Sequence, residues 1–218
     1  MVKRKTAVVL AGLSLLTAVV LVPTASAAGP QLLAPAQAQA LVSAVPTIQT
    51  GSVTRPASPQ EALASGSTQG ANVAVAPGMS ASQAVGLVPL GQVSPAAPSL
   101  VQPAAATAAT SCWATTWWRQ WGTWPYEQKI ADTTYWCAVY GDHVTYYSST
   151  VNGTGTFCGT SWTSSQLISG GIGYTWFVLR SSAGFSCPTV IPWVTLHPSH
   201  YTDVSRNDWG TTSEVASN

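Results

Sequence analysis

Between Trp113 and Thr123 the residues fall into two alternating sets. Trp113, Thr115, Trp117, Arg119, Trp121 and Thr123 form one, and Ala114, Thr116, Trp118 and Gln120 the other. Trp113, Trp117, Trp121 and Trp124 also recur at helical spacing. Because Trp and Thr favour a pleated sheet and Gly122 interrupts a helix, the stretch predicts a strand. Thr134 to Tyr140 and His143 to Thr150 are runs of β formers separated by Gly141-Asp142, which predicts a hairpin, and Asn152-Gly153 predicts a further turn. Ile172 to Arg180 sets Ile172, Tyr174, Trp176 and Val178 against Thr175, Phe177 and Leu179, the two-sided pattern of a central strand. Ala183 to Cys187 and Val190 to Leu196 bring the count to about seven short strands, with Pro188, Pro192 and Pro198 pushing the late ones towards a sheet edge. Residues 112–218 are therefore expected to be an all-β domain, a small disulfide-stapled antiparallel sandwich or barrel.

The chain before this point shows no such pattern. Ala28 to Ser111 has no sustained period and no aromatic residue, its only charges are Arg55 and Glu61, and ten prolines interrupt it. Without rings to bury, it is expected to be a long disordered Ala/Pro/Ser-rich tether or propeptide, partly polyproline II, with short helical pieces such as Gln37 to Ala44. Residues 1–27 join Lys3, Arg4 and Lys5 to an apolar run, Ala7 to Val22, and close on Pro23 and Ala25-Ser26-Ala27. That is the pattern of a secretory signal peptide, which predicts a secreted, extracellular protein. No later run is long and apolar enough for a spanning helix, so no membrane attachment is expected after signal cleavage.

Composition sharpens this division. All ten Trp, seven Tyr, three Phe and four Cys lie from Cys112 onward, so one domain is expected from the 218 residues. In an exported chain an even cysteine count implies disulfides; four cysteines allow three pairings, of which the pairing of neighbours, Cys112 with Cys137 and Cys158 with Cys187, is the one expected. Each bridge closes a loop worth about 3 kcal/mol in the chain-entropy picture. A zinc site is not expected, since no two cysteines are within about twenty residues of each other and zinc ligands come in closer pairs.

The candidate chemistry follows from what remains. Trp117 and Trp121 flanking Arg119 on one face make an aromatic and cationic ladder, suited to a sugar ring, set against the simpler reading that these rings are core. His197, His200 and Asp203 lie within seven residues, but they lack helical spacing and a neighbouring general base, so no metal and no cofactor are expected. Asp142, His143 and a serine satisfy a triad on paper. Gly159-Thr160-Ser161-Trp162-Thr163 lacks the second glycine of a nucleophile elbow. From Cys112 on, Arg119, Lys129, Arg180 and Arg206 face six acidic residues, too few cations to follow a nucleic-acid backbone.

The run WWRQWGTWPYEQKIADTTYWCAVYGDHVTYYSST, with GGIGYTWFVLRSSAGFSCP and IPWVTLH, resembles small secreted Trp-rich domains of high-GC Gram-positive bacteria that carry no assigned function. The similarity covers about Cys112 to Gly210. It implies an exported two-disulfide β domain and transfers no catalytic residue. The function expected from the residues is a secreted, non-enzymatic binding module that contacts a polysaccharide or another cell-envelope component through exposed aromatics, since twenty rings exceed what one small core hides. One alternative is an extracellular hydrolase using Asp142, His143, His197, His200 and Asp203, which requires those segments to meet in a cleft. The other is a structural or protein-interaction module.

Overall fold

A computed structural model describes residues 33–43, 49–88 and 109–218. The expected signal peptide, residues 1–27, lies outside them. In chain order the elements are α1 (Pro35–Ser43), β1 (Gln49–Ala57), α2 (Pro59–Gly66), β2 (Asn72–Val75), α3 (Ala81–Ala84), β3 (Thr110–Trp121), β4 (Gln128–Val139), β5 (His143–Gly155), β6 (Gly159–Gly170), β7 (Trp176–Pro188), β8 (Thr195–Leu196), β9 (Ser199–Asn207) and β10 (Thr212–Ser217). They build two antiparallel sheets, ordered β1-β3-β4-β5-β2 and β10-β9-β7-β6, with β8 paired to the end of β7. No helix among the described residues is long and apolar enough to cross a membrane.

The two sheets pack face to face, and the alternation in β4 shows why. Gln128, Ile130, Asp132, Thr134, Trp136 and Ala138 are buried, while Lys129, Ala131, Thr133 and Tyr135 between them are not. The first set lies between the sheets. Near one end Trp136, Ala138, Val144 and Tyr147 pack against Phe177 and Leu179. Near the other, Trp121, Tyr126, Ile130 and Val151 pack against Ala183 and Phe185. Between these apolar layers the interior is polar. Asp132 Oδ2 accepts from Arg206 at 2.6 Å with both side chains fully buried, and its Oδ1 accepts from Thr134 and Ser149.

The disulfides join Cys112 to Cys137 and Cys158 to Cys187, one towards each end of the sandwich. The hairpin of β4 and β5 turns at Tyr140 to Asp142. Other boundaries differ from the sequence pattern. Asn152-Gly153 continues β5, because both residues stay in register with Ala131 and Ile130. Ile172 to Thr175 is a loop, and one long strand, β7, runs through the segment from Ala183 to Cys187. Most of Val190 to Leu196 is loop, and only Thr195–Leu196 pairs.

The largest correction concerns the tether. Of the stretch from Ala28 to Ser111, residues 33–43 and 49–88 are built into the domain, and the remaining residues before Ala109 lie outside the described set. β1 pairs with β3 over nine residues, Gln49↔Gln120 to Ala57↔Cys112, and β2 pairs with β5 from Asn72↔Ser149 to Val75↔Tyr146. The segment thus forms both edges of the first sheet. Its helices cover one end of that sheet's outer face, where Ala62, Ala84 and Val85 bury against Cys112, Cys137 and Tyr146. Small residues suffice because the rings they meet belong to the later chain, a compensation that a local reading of composition misses.

Helix α2 starts on a capping box, with Glu61 N donating to Ser58 Oγ and Ser58 N donating to Glu61 Oε2, and Arg55 adds two hydrogen bonds to the same carboxylate. The Arg55 hydrogen bond and the Ser58 backbone amide bring Glu61 down to about 2 from the usual carboxylate range. Protons bind the unfolded carboxylate more readily than the folded one, so this contribution is complete above about pH 4.5 and is lost as pH falls through about 2. The pair is half exposed and open to salt screening. Nuclear magnetic resonance titration of Glu61 is expected to give a midpoint near 2 that climbs when Arg55 is replaced by Met. An unshifted midpoint in the variant would contradict this contact.

Candidate functional site

The alternation of β3 holds, but packing selects which face is free. Trp113, Thr115, Trp117, Arg119 and Trp121 turn towards the second sheet. Trp121 is buried and stacks on His200 of β9 at 4.6 Å between ring centroids, 11° from parallel. Arg119 forms an ion pair with Glu214 of β10 and is largely shielded. Trp117 lies opposite Asp132, and among the described residues its buried Nε1 has no hydrogen-bond partner. The expected Trp117, Arg119 and Trp121 ladder is therefore interior structure rather than a surface platform. The physical reason is that β9 and β10 pass in front of it.

The other set, Ala114, Thr116, Trp118 and Gln120, lies on the outer face of the first sheet. α2 and α3 cover this face only at the end that carries the Cys112–Cys137 bridge. Beyond them three rows stay open, in register across β1, β3, β4 and β5: Val53, Thr116, Thr133 and Thr150; Gly51, Trp118, Ala131 and Asn152; Gln49, Gln120, Lys129 and Thr154. The Trp118 indole lies across Gly51, where a Cβ would come within 2.5 Å of it, and Lys129 Nζ sits 4.4 Å from its ring centroid.

At the end of these rows is a cavity of about 350 Å³ lined by Gln120, Glu127, Gln128, Lys129, Thr154, Gly155 and Thr156. Apart from Gly155 its lining residues all carry polar side chains, and its two charges have opposite sign without pairing with each other. Among the described residues, Glu127 Oε2 is buried without a hydrogen-bond partner. A buried acceptor without a donor is costly, so the site favours a ligand that supplies one. Gln128 is held from behind. Its Nε2 donates to Tyr126 O at 2.9 Å and its Oε1 accepts from His200 Nε2 at 2.9 Å, which places the imidazole proton on Nε2. Burial lowers the His200 pKa, so the ring stays neutral against Trp121.

The residues of the hydrolytic alternative do not assemble. Asp142 and His143, 3.1 Å apart, sit in and beside the β4–β5 turn. His200 lies inside the opposite end of the sandwich, His197 precedes β9, and Asp203, itself buried, accepts two hydrogen bonds from Arg180. Among the described residues no group of three or more His, Cys, Asp or Glu side chains could hold a metal ion.

Several rings are exposed away from this face. Tyr140, Tyr174, Trp176 and Trp209 lie at the β4–β5 turn end, Trp124 and Trp193 at the other end, and Trp162 on β6. Sequence alternation had already set Trp118 and Gln120 on a face of their own. What it lacked was the register that brings Lys129, Thr154 and Glu127 beside them. Fold and site together define a two-sheet, two-disulfide β sandwich with an open polar sheet face. Compared with protein-family models, curated proteins and solved structures, the chain has no significant match to any of them.

Proposed function

We propose that this protein is an exported, non-enzymatic binding module that holds a segment of a hydroxyl-rich glycan on the open face of its first sheet, with one sugar residue seated in the Glu127 cavity. The observation that carries the reading is the cavity itself, with an unpartnered buried carboxylate oxygen, an ammonium group, two glutamines and two threonines around a space of about 350 Å³. A sugar hydroxyl donates and accepts at once, so one ligand satisfies both Glu127 and Lys129. The cavity lining has a single carboxylate, whereas most glycoside hydrolysis uses a pair, which favours binding over cleavage. Trp118 and the threonine rows extend the contact surface beyond the cavity. Two disulfides suit an oxidising, extracellular compartment, in keeping with the signal-like pattern of residues 1–27.

Soluble neutral oligosaccharides of several linkage types, titrated into isotope-labelled protein, are expected to shift the amides of Gln120, Lys129 and Thr154. Glu127→Gln replaces the carboxylate acceptor and is expected to weaken binding roughly 10- to 100-fold, the worth of a charge-assisted hydrogen bond, with an unchanged melting temperature. If no oligosaccharide moves these resonances, or if the variant binds as tightly as the parent, the reading is wrong.

A further inference from the structure

The turn end of the sandwich carries a second surface with different chemistry. Three turns converge there: residues 140–142 between β4 and β5, residues 171–175 between β6 and β7, and residues 208–211 between β9 and β10. Backbone hydrogen bonds lock them together, Val144 N to Tyr174 O, Gly173 N to Val144 O and Asp208 N to Thr175 O, each 2.9 Å. The last turn is tightened further by Asn207, whose Oδ1 accepts from the amides of Trp209 and Thr211. Gly141 has φ +74°, a conformation that favours glycine, and it lies beneath the Trp209 ring. On this rigid base Tyr140 and Trp209, both more than half exposed, meet at 4.6 Å between centroids and 67° between planes. Two rings so set form an open corner.

Charge selects the occupant. The three turns hold two carboxylates, Asp142 and Asp208, and neither lysine nor arginine. Asp142 is 68% exposed in the same turn as Tyr140, and among the described residues its ionic neighbour is His143. Asp208 is buried, and among the described residues its Oδ2 has no hydrogen-bond partner. Aromatic faces are themselves the negative pole of a quadrupole, and they hold cations within about 6 Å of the ring centre. A cation with an apolar skin suits such a corner better than a strongly hydrated one, since it gives up little water to reach the rings. We propose that the Tyr140–Trp209 corner, beside Asp142, is a recognition site for an organic ammonium cation of the trimethylammonium class. The inference is independent of the glycan site, which lies on a different face and uses none of these residues.

The test uses the full chain with three soluble probes: tetramethylammonium, phosphocholine and the uncharged isostere 3,3-dimethylbutan-1-ol. Binding is read from the Trp209 indole N–H resonance, assigned from the spectrum of Trp209→Phe. Both cations are expected to shift it saturably, and the neutral isostere to bind at least about fivefold more weakly. Tyr140→Ala and Asp142→Asn, followed through the same resonance, are expected to weaken the cations about tenfold and severalfold, the latter effect shrinking with added salt. Trp193→Ala, 85% exposed at the opposite end, is expected to change nothing. Phosphatidylcholine vesicles then separate the sources: co-sedimentation assigns the cation to a lipid headgroup, and binding of soluble phosphocholine alone assigns it to a free or polymer-borne group. Equal affinity for the isostere, full cation affinity in Tyr140→Ala, or no saturable shift would overturn the proposal. All four substituted residues are exposed, and an unchanged melting temperature separates lost binding from lost folding.

Discussion

Asp132→Ala is expected to lower folding stability by about 3–5 kcal/mol, because it leaves Arg206 as a fully buried charge without its partner. The guanidinium otherwise lies over the Phe177 ring, 5.9 Å from its centroid, and one nitrogen donates to Val204 O, while among the described residues Nε has no hydrogen-bond partner. The substitution also strips Thr134 and Ser149 of their shared acceptor, so two buried hydroxyls lose the group they donate to, while Ser149 still accepts from Ser165. Urea unfolding with both disulfides intact measures the loss. The double replacement Asp132→Leu with Arg206→Met is expected to be less damaging than Asp132→Ala alone, since no unpaired charge remains. Were the single variant to lose less than about 1 kcal/mol, the interior pair would be weaker than its geometry implies.

A chain that starts at Ala108 is expected to lose at least about 5 kcal/mol, comparable to the whole net stability of a small domain. It lacks β1 and β2, so both edges of the first sheet lie open, and the Cys112–Cys137 bridge loses the helices that cover it. The shortened chain should bind a hydrophobic dye and unfold at much lower urea than the parent. Adding a peptide of residues 49–88 in trans should reverse part of this. Equal midpoints for the two chains would show the segment to be a passive tether after all. Intact mass of the natively produced protein tells whether the segment stays attached.

The candidate site was legible only in part, and the reason is visible in particular residues. Trp117, Arg119 and Trp121 drew attention because rings beside a cation are a familiar surface pattern, yet Arg119 is spoken for by Glu214, ninety-five residues away. Glu127 and Lys129 carry no local signature. They become a site because β5 brings Thr154 opposite Lys129 and β3 brings Gln120 to its other side. Strand β6, GTSWTSSQLISG, offers no apolar alternation, since it is an edge strand exposed along nearly its whole length and held by its ladder to β7. Side-chain periodicity reports burial, so a strand that buries little is silent.

By itself the amino-acid order determined the all-β class, the two-face alternation of β3, the β4–β5 hairpin and the division of aromatic residues along the chain. These are local properties, set by a period of two, by turn chemistry and by where the rings lie. Only the tertiary structure decided that residues 49–88 belong to the domain, which face of β3 is free, and that a charged pair occupies the middle of the interior. Those outcomes depend on contacts between residues far apart in the chain. An Ala-rich segment with nothing to bury against itself still folds when rings and strand edges elsewhere wait for it.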